Sequence, residues 1–233
     1  GAFGTKMEPS GSKDPFALRR AGGSVIKLIR AFRIHFSSSE LIESMVKLYG
    51  NTIHLDKARL GLFIRDRIGF ELGVKPGERT CEILAAINAS KNTDDLADVF
   101  KRFEALTGMD QKILIKAAKV IQRTANMLKG YGKTPGEPKA ELLAEVEEKK
   151  LYELFCAREK DVLEPLEKGE YEKATRVFAD LFSVPLNDFF GRVLVNAEDA
   201  VLRENRMALV AKVNRLYTAR IADLSALSRI DEE

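Results

Sequence analysis

The sequence predicts an all-α protein, a multi-helix bundle of about ten helices. Three observations carry that prediction. Apolar residues recur at helical spacing along nearly the whole chain, as in Ile113, Leu114, Ala117, Val120, Ile121 and Leu128. Helix-start residues punctuate the chain, among them Asp14-Pro15, Ser37–Ser39, Asp56, Asp110 and Asp199. Alternating strand patterns are scarce, and the best of them, Arg192–Val195, is too short.

The elements follow in order. Gly1–Lys6 lacks the apolar stretch of a signal peptide, and residues 1–12 read as a disordered tag remnant. Asp14 and Pro15 open a first helix, the carboxylate as cap and the proline at the first helical position, running to about His35. Gly22-Gly23 inside it costs about 1 kcal/mol per glycine, which predicts close packing against a neighbour. The serines at 37–39 cap Glu40–Tyr49, which Gly50 ends; a third helix runs from Asp56 to Leu72, stopped by Gly73. Pro76-Gly77 precedes Glu78–Asn88, Thr93/Asp94 caps Asp95–Leu106, and Asp110 caps a long helix through Leu128. The Gly- and Pro-rich stretch 130–138 is the strongest break, read as a hinge or exposed loop between a helical part at 13–129 and another at 139–230. Beyond it the pattern predicts Ala140–Leu163 ended by Pro165, then Tyr171–Phe182, Pro185–Val195 and a last helix from Ala200 to about Ala219.

Composition narrows the function. With 233 residues, 45% hydrophobic and 31% charged, the chain has material for a real core and is not globally disordered. No stretch approaches the roughly 20 apolar residues of a membrane span. Two cysteines, Cys81 and Cys156, exclude a disulfide framework and a four-cysteine zinc site and fit a reducing, cytoplasmic compartment. The net charge of +3 conceals a gradient, with +6 over residues 1–80 and −5 over 135–182. Such polarity suits a surface that meets a polyanion. Catalytic and metal-binding groupings are missing: His35 and His54 have no ligand spacing, and Lys133-Thr134 lacks both the P-loop pattern and its strand. No cofactor, metal or catalytic residue is expected in this chain.

Three segments together resemble a known family: Asp14-Pro-Phe-Ala-Leu-Arg-Arg-Ala21; Arg123-Thr-Ala-Asn126; and Asp188-Phe-Phe-Gly-Arg-Val-Leu-Val-Asn196, followed by Leu202-Arg-Glu-Asn-Arg-Met207 and Ala222-Asp-Leu-Ser225. In this order they resemble the C-terminal part of the bacterial-type glycyl-tRNA synthetase beta subunit, a DALR-type anticodon-binding region, over roughly residues 13–230. The DALR signature maps onto Asp14, Ala17, Leu18 and Arg19. Met207 replaces a usual leucine, a volume-conserving change, and Gly191 stands where the family usually has aspartate. The resemblance implies tRNA(Gly) anticodon recognition within glycine-tRNA ligase. It also implies ATP and Mg chemistry in a separate alpha subunit, and a heterotetramer that includes the rest of the beta subunit.

Anticodon bases are unstacked, so their edges and faces are open to side chains, while phosphates call for cations. The chain offers Arg19, Arg20, Lys27 and Arg30 on the first helix and Arg65 and Arg67 on the third. It adds Lys119, Arg123 and Asn126 on the sixth, and Arg203, Asn205 and Arg206 on the last. Each has a structural alternative: Arg19 pairing with Asp14 or capping a helix, Arg203 and Arg206 pairing with Asp199 or Glu198, Arg123 and Asn126 forming a buried polar pair. Phe189 and Phe190 read as core anchors more than as stacking platforms, and Tyr131 is a better candidate for stacking than either. On the RNA reading, Arg20→Ala and Arg206→Ala weaken RNA binding while the helical signal survives. Two other functions compete. One is the equivalent domain of arginyl-tRNA synthetase. The other is a protein–protein scaffold docking through the acidic helices at 141–172.

Overall fold

The computed structural model describes residues 1–5 and 7–228; the last two positions of the 139–230 part lie outside them. Among the described residues there are nine α-helices, short 3-10 turns and no strand, which agrees with the all-α expectation. The helices are α1 Leu18–Phe32, α2 Ser38–Tyr49, α3 Lys57–Glu71, α4 Arg79–Ala89, α5 Leu96–Gly108, α6 Gln111–Lys129, α7 Val146–Glu167, α8 Tyr171–Arg192 and α9 Ala200–Thr218. No helix is long and apolar enough to cross a membrane. Two compact units result, the first made of Gly1–Leu84 with Thr93–Phe100, the second of Ala85–Asn92 with residues from Lys101 onward. The Gly/Pro stretch 130–138 therefore falls inside the second unit and does not divide the chain.

In the first unit, α1 packs on α3. Residues 1–5 are part of this unit and not a disordered remnant: Ala2–Thr5 forms a 3-10 turn, Phe3 meets Phe63 at 5.1 Å, and Gly4 O accepts the His54 N–H. The first helix starts at Leu18, later than its cap signal predicts. Asp14 still caps it, accepting the Leu18 and Arg19 N–H groups at 2.8 and 3.0 Å, while Ala17 takes a left-handed φ of 50° to turn the chain in. Of the two glycines, only Gly22 is held by packing, since a Cβ there would lie 3.0 Å from the Phe63 ring; Gly23 faces open space.

The N-terminus of α2 is tied to Asp94, which the sequence assigned to α5. Asp95 caps α5 instead, through the Ala97 N–H at 3.0 Å. Asp94 accepts from the hydroxyls of Ser37 at 2.5 Å and Ser38 at 2.9 Å and from the Ser39 N–H at 2.7 Å. Burial opposes ionisation of this carboxyl, but these hydrogen bonds outweigh it and hold the group below the usual carboxylate range. A lowered folded value means the stabilisation is complete above the unfolded value near pH ~4 and lost as pH falls through the folded one. Protection against amide exchange over the first turn of α2, taken relative to the intrinsic rate at each pH, is thus expected to fall in acid, and Asp94→Asn to abolish that acid dependence.

The second unit has a dense core between α6, α7, α8 and α9. Leu114, Ile121, Leu151, Phe155, Phe178, Phe182, Phe189, Val213 and Tyr217 are all buried there. Two prolines lie inside helices, Pro165 where the sequence predicts a helix end and Pro185 where it predicts a helix start. Pro165 sits within α7, and Pro185 joins what read as two helices into the single α8. An interior proline costs about 3 kcal/mol. Along α8, Phe178 and Phe182 before Pro185 and Leu186 and Phe189 after it are fully buried, each contributing about 1.5–3 kcal/mol, so burial outweighs the breaker. α7 starts six residues later than predicted, because Ala140–Leu142 is a 3-10 turn.

The 130–138 stretch is largely exposed and is tied near its end to α9. Glu137 pairs with Lys212 at 2.6 Å and Arg215 at 3.3 Å. The Lys212 hydrogen bond holds the Glu137 carboxyl below the usual range.

Candidate nucleic-acid interface

The cations predicted to meet RNA separate into three groups. In the first unit, Arg19 donates to Gly11 O at 2.8 Å, so it fixes the chain before α1 and does not pair with Asp14. Lys27 and Arg30 both turn to the end of α3, Lys27 toward the Glu71 carboxylate at 4.0 Å and Arg30 to its carbonyl at 3.4 Å. Arg67 lies against the rings of Phe63 and Phe70, 5.9 and 5.4 Å from their centroids. Arg20 and Arg65 are exposed. The predicted stripe of Arg20, Lys27 and Arg30 is therefore partly consumed by contacts between helices.

The second group, Arg203, Asn205 and Arg206, is held by protein partners, with Asn205 and Arg206 buried and Arg203 half-buried. Asn205 is buried and clamps Lys139, accepting its N–H at 2.7 Å and donating to its carbonyl at 3.1 Å. Arg206 is buried, donates to Leu194 O at 2.8 Å and forms an ion pair with Glu148, itself fully buried. Its partner is thus neither Asp199 nor Glu198. Arg203 donates to the carbonyls of Ala197 and Glu198, at 2.7 and 3.3 Å. Helical spacing put Arg203 and Arg206 on one face, but that face looks inward at the loop after α8.

The third group comes together on the second unit. Along α6, Lys116, Lys119 and Arg123 lie at i, i+3 and i+7, beside Ser183, Asn187 and Phe190 at i, i+4 and i+7 along α8. Arg123 and Asn126 are exposed, not the buried polar pair that spacing allowed. The Arg123 guanidinium donates to Asn187 Oδ1 and sits 5.1 Å from the Phe190 centroid. Lys116 pairs with Asp180 at 2.7 Å. Phe189 is a core residue as expected, whereas Phe190 is half-buried and lines the surface.

Two adjoining recesses share Arg123. One, of about 570 Å³, is lined by Arg123, Asn126, Met127, Gly130, Phe190 and Asn196. The other, of about 330 Å³, includes Lys116, Lys119, Ser183 and Asn187. Ser183 Oγ is buried there with no hydrogen-bond partner. Asn196 sits between Leu194 and Ala197, whose carbonyls Arg206 and Arg203 hold, so the inward-facing arginines position one wall of the larger recess. The Tyr131 hydroxyl is buried without a partner, and Lys133 lies 5.6 Å from its ring. A Cβ at Gly191 would meet open space, so an aspartate would fit.

The chemistry of this surface is mixed. Amide groups at Asn126 and Asn196 both donate and accept, Phe190 offers an aromatic face, and the cations suit phosphate oxygens. The sequence reading found Lys119, Arg123 and Asn126 but missed Lys116, Asn187, Phe190 and Asn196. Splitting α8 at Pro185 hid the register that aligns Ser183, Asn187 and Phe190.

Residues 1–88 match the family model described as "Glycyl-tRNA synthetase beta subunit". Over nearly its whole length the chain is similar to curated proteins named glycine–tRNA ligase beta subunit. It is 33% identical to that of Glaesserella parasuis serovar 5 over 97% of this chain and 33% of the relative. It is 32% identical to that of Actinobacillus succinogenes, over 97% of this chain and 33% of that relative. With that of Acidovorax sp. strain JS42 it shares 32% identity, over 98% of this chain and 31% of the relative. This chain is similar to glycyl-tRNA synthetase beta subunits and spans about a third of the length of the relatives it matches.

Proposed function

We propose that this chain serves glycyl-tRNA synthesis as the part of a beta subunit that holds the tRNA(Gly) anticodon arm. The observation that carries the reading is the α6/α8 surface, where Lys116, Lys119 and Arg123 adjoin an open recess lined by Asn126, Asn196 and Phe190. An unstacked base presents a flat π-face and a polar edge, the two chemistries this recess offers. Cations along one side suit the phosphates that join successive nucleotides. Glycine activation with ATP and Mg then takes place on an alpha subunit, in an assembly of alpha and beta subunits. This chain contributes affinity and discrimination, each good base contact being worth about 1–3 kcal/mol.

Titration with glycine and arginine anticodon stem-loops tests this. Preference for the glycine loop with its two cytosines is expected, and preference for the arginine loop overturns the assignment. Three cations at a single-stranded site predict a log–log salt slope of about −2. Arg123→Ala and Phe190→Ala are each expected to weaken the glycine loop about tenfold without changing the helical signal, since both side chains lie at the surface. Undiminished binding by both variants removes the recess from the interface.

A further inference from the structure

The first unit leaves apolar side chains uncovered to a degree that ordinary surfaces do not. Among the described residues, twelve of the sixteen large apolar side chains that stand exposed belong to it. No residue of α2 is buried, and its apolar positions Leu41, Met45 and Leu48 fall at i, i+4 and i+7 on one stripe, Leu48 being 82% exposed. On α1, Val25, Leu28 and Phe32 form a second stripe beside the buried Ile26 and Ile29, with Phe32 72% exposed. Scattered exposed leucines need no explanation, but periodic apolar stripes on successive helices mark an interaction surface. α2 is nonetheless held in place, by Asp94 at its N-terminus and by Glu43 bonded to Lys57 at 3.2 Å. It is therefore a fixed helix whose apolar stripe has no cover.

We infer that the α1 and α2 stripes are a docking face for the remainder of the same beta subunit. The relatives are about three times as long as this chain. The family model matches residues 1–88, and that stretch carries both stripes. A partner within one polypeptide also needs little affinity of its own, because tethering supplies a high effective concentration. The inference rests on the proposed function only in taking the chain to work inside a longer subunit.

Hydroxyl-radical footprinting of Phe32, Met45 and Leu48 tests it. The measurement compares this chain alone with a chimera in which it replaces the matching third of the Glaesserella parasuis subunit. At least a fivefold slower modification in the chimera is expected, with the slowing lost in Leu28→Glu/Leu48→Glu. In the isolated chain that double variant is expected to keep both its helical signal and its stem-loop affinity. Failure of the RNA titration leaves this comparison untouched, which separates the two proposals. The intact Glaesserella subunit is the second measurement and does not depend on the chimera folding: side chains aligned with the two stripes are expected to be protected in it. Solvent-like modification there overturns the inference, as does an isolated chain that dimerises through the stripes and is made monomeric by Leu48→Glu.

Discussion

Arg206→Ala is expected to destabilise the second unit by about 3–5 kcal/mol, because it leaves the Glu148 carboxylate buried without its cation. Glu148 is fully buried, and one of its oxygens already accepts the Ala144 N–H at 2.7 Å and the Glu145 N–H at 3.3 Å at the start of α7. The other oxygen meets Arg206, whose guanidinium also holds Leu194 O. One truncation therefore disturbs the start of α7, the loop after α8 and the middle of α9 together. At about 2–4 °C per kcal/mol for a chain of this size, the thermal midpoint should fall by about 10 °C in calorimetry. Weakened RNA binding with the fold intact is no longer the expected outcome for this residue. A paired replacement, Glu148→Leu with Arg206→Met, is expected to recover much of the loss, since apolar isosteres relieve the desolvation of both charges. A midpoint unchanged by Arg206→Ala would show the pair to contribute nothing.

Arg102→Ala is expected to cost about 3 kcal/mol or more. The side chain is wholly buried and donates to Ser90 Oγ and Ile221 O, each at 2.9 Å, and to Asn92 O. Those acceptors lie in the segment 85–92 and near the C-terminal end of the described chain, so the guanidinium joins two remote pieces of the second unit. A backbone bond from Asp223 N–H to Ala86 O at 2.8 Å runs alongside. Truncation combines a cavity with carbonyls left unsatisfied, two penalties that add. Amide exchange should accelerate most over residues 86–92 and 221–224. Exchange raised uniformly across the unit would instead indicate a general loss of packing. Lysine is a poor replacement, since a single ammonium does not reproduce the planar fork that reaches separated acceptors.

How far the sequence could be read depended on the range of the interaction concerned. Helix class and most N-caps were legible because they are local: Asp56, Asp110 and Asp199 each cap the helix that follows, their carboxylates meeting N–H groups two or three residues on. Pro165 and Pro185 were misread because a local breaker of about 3 kcal/mol was weighed without the burial on either side of it. Asp94 was read as a local cap, yet its partners are serines more than fifty residues away.

The candidate site follows the same division. Sequence alone determined that the chain is helical, which residue types it can offer to RNA and which family it resembles, since periodicity, side-chain chemistry and ordered motifs are written along one dimension. Only the tertiary structure decided that Arg203, Asn205 and Arg206 turn inward to hold the loop bearing Asn196. It also decided that Lys119, Arg123 and Asn126 stand outward beside Phe190. The physical reason is that a charged or amide side chain is drawn equally to water, a carbonyl or a carboxylate. Which of these it meets depends on helices brought alongside from far along the chain.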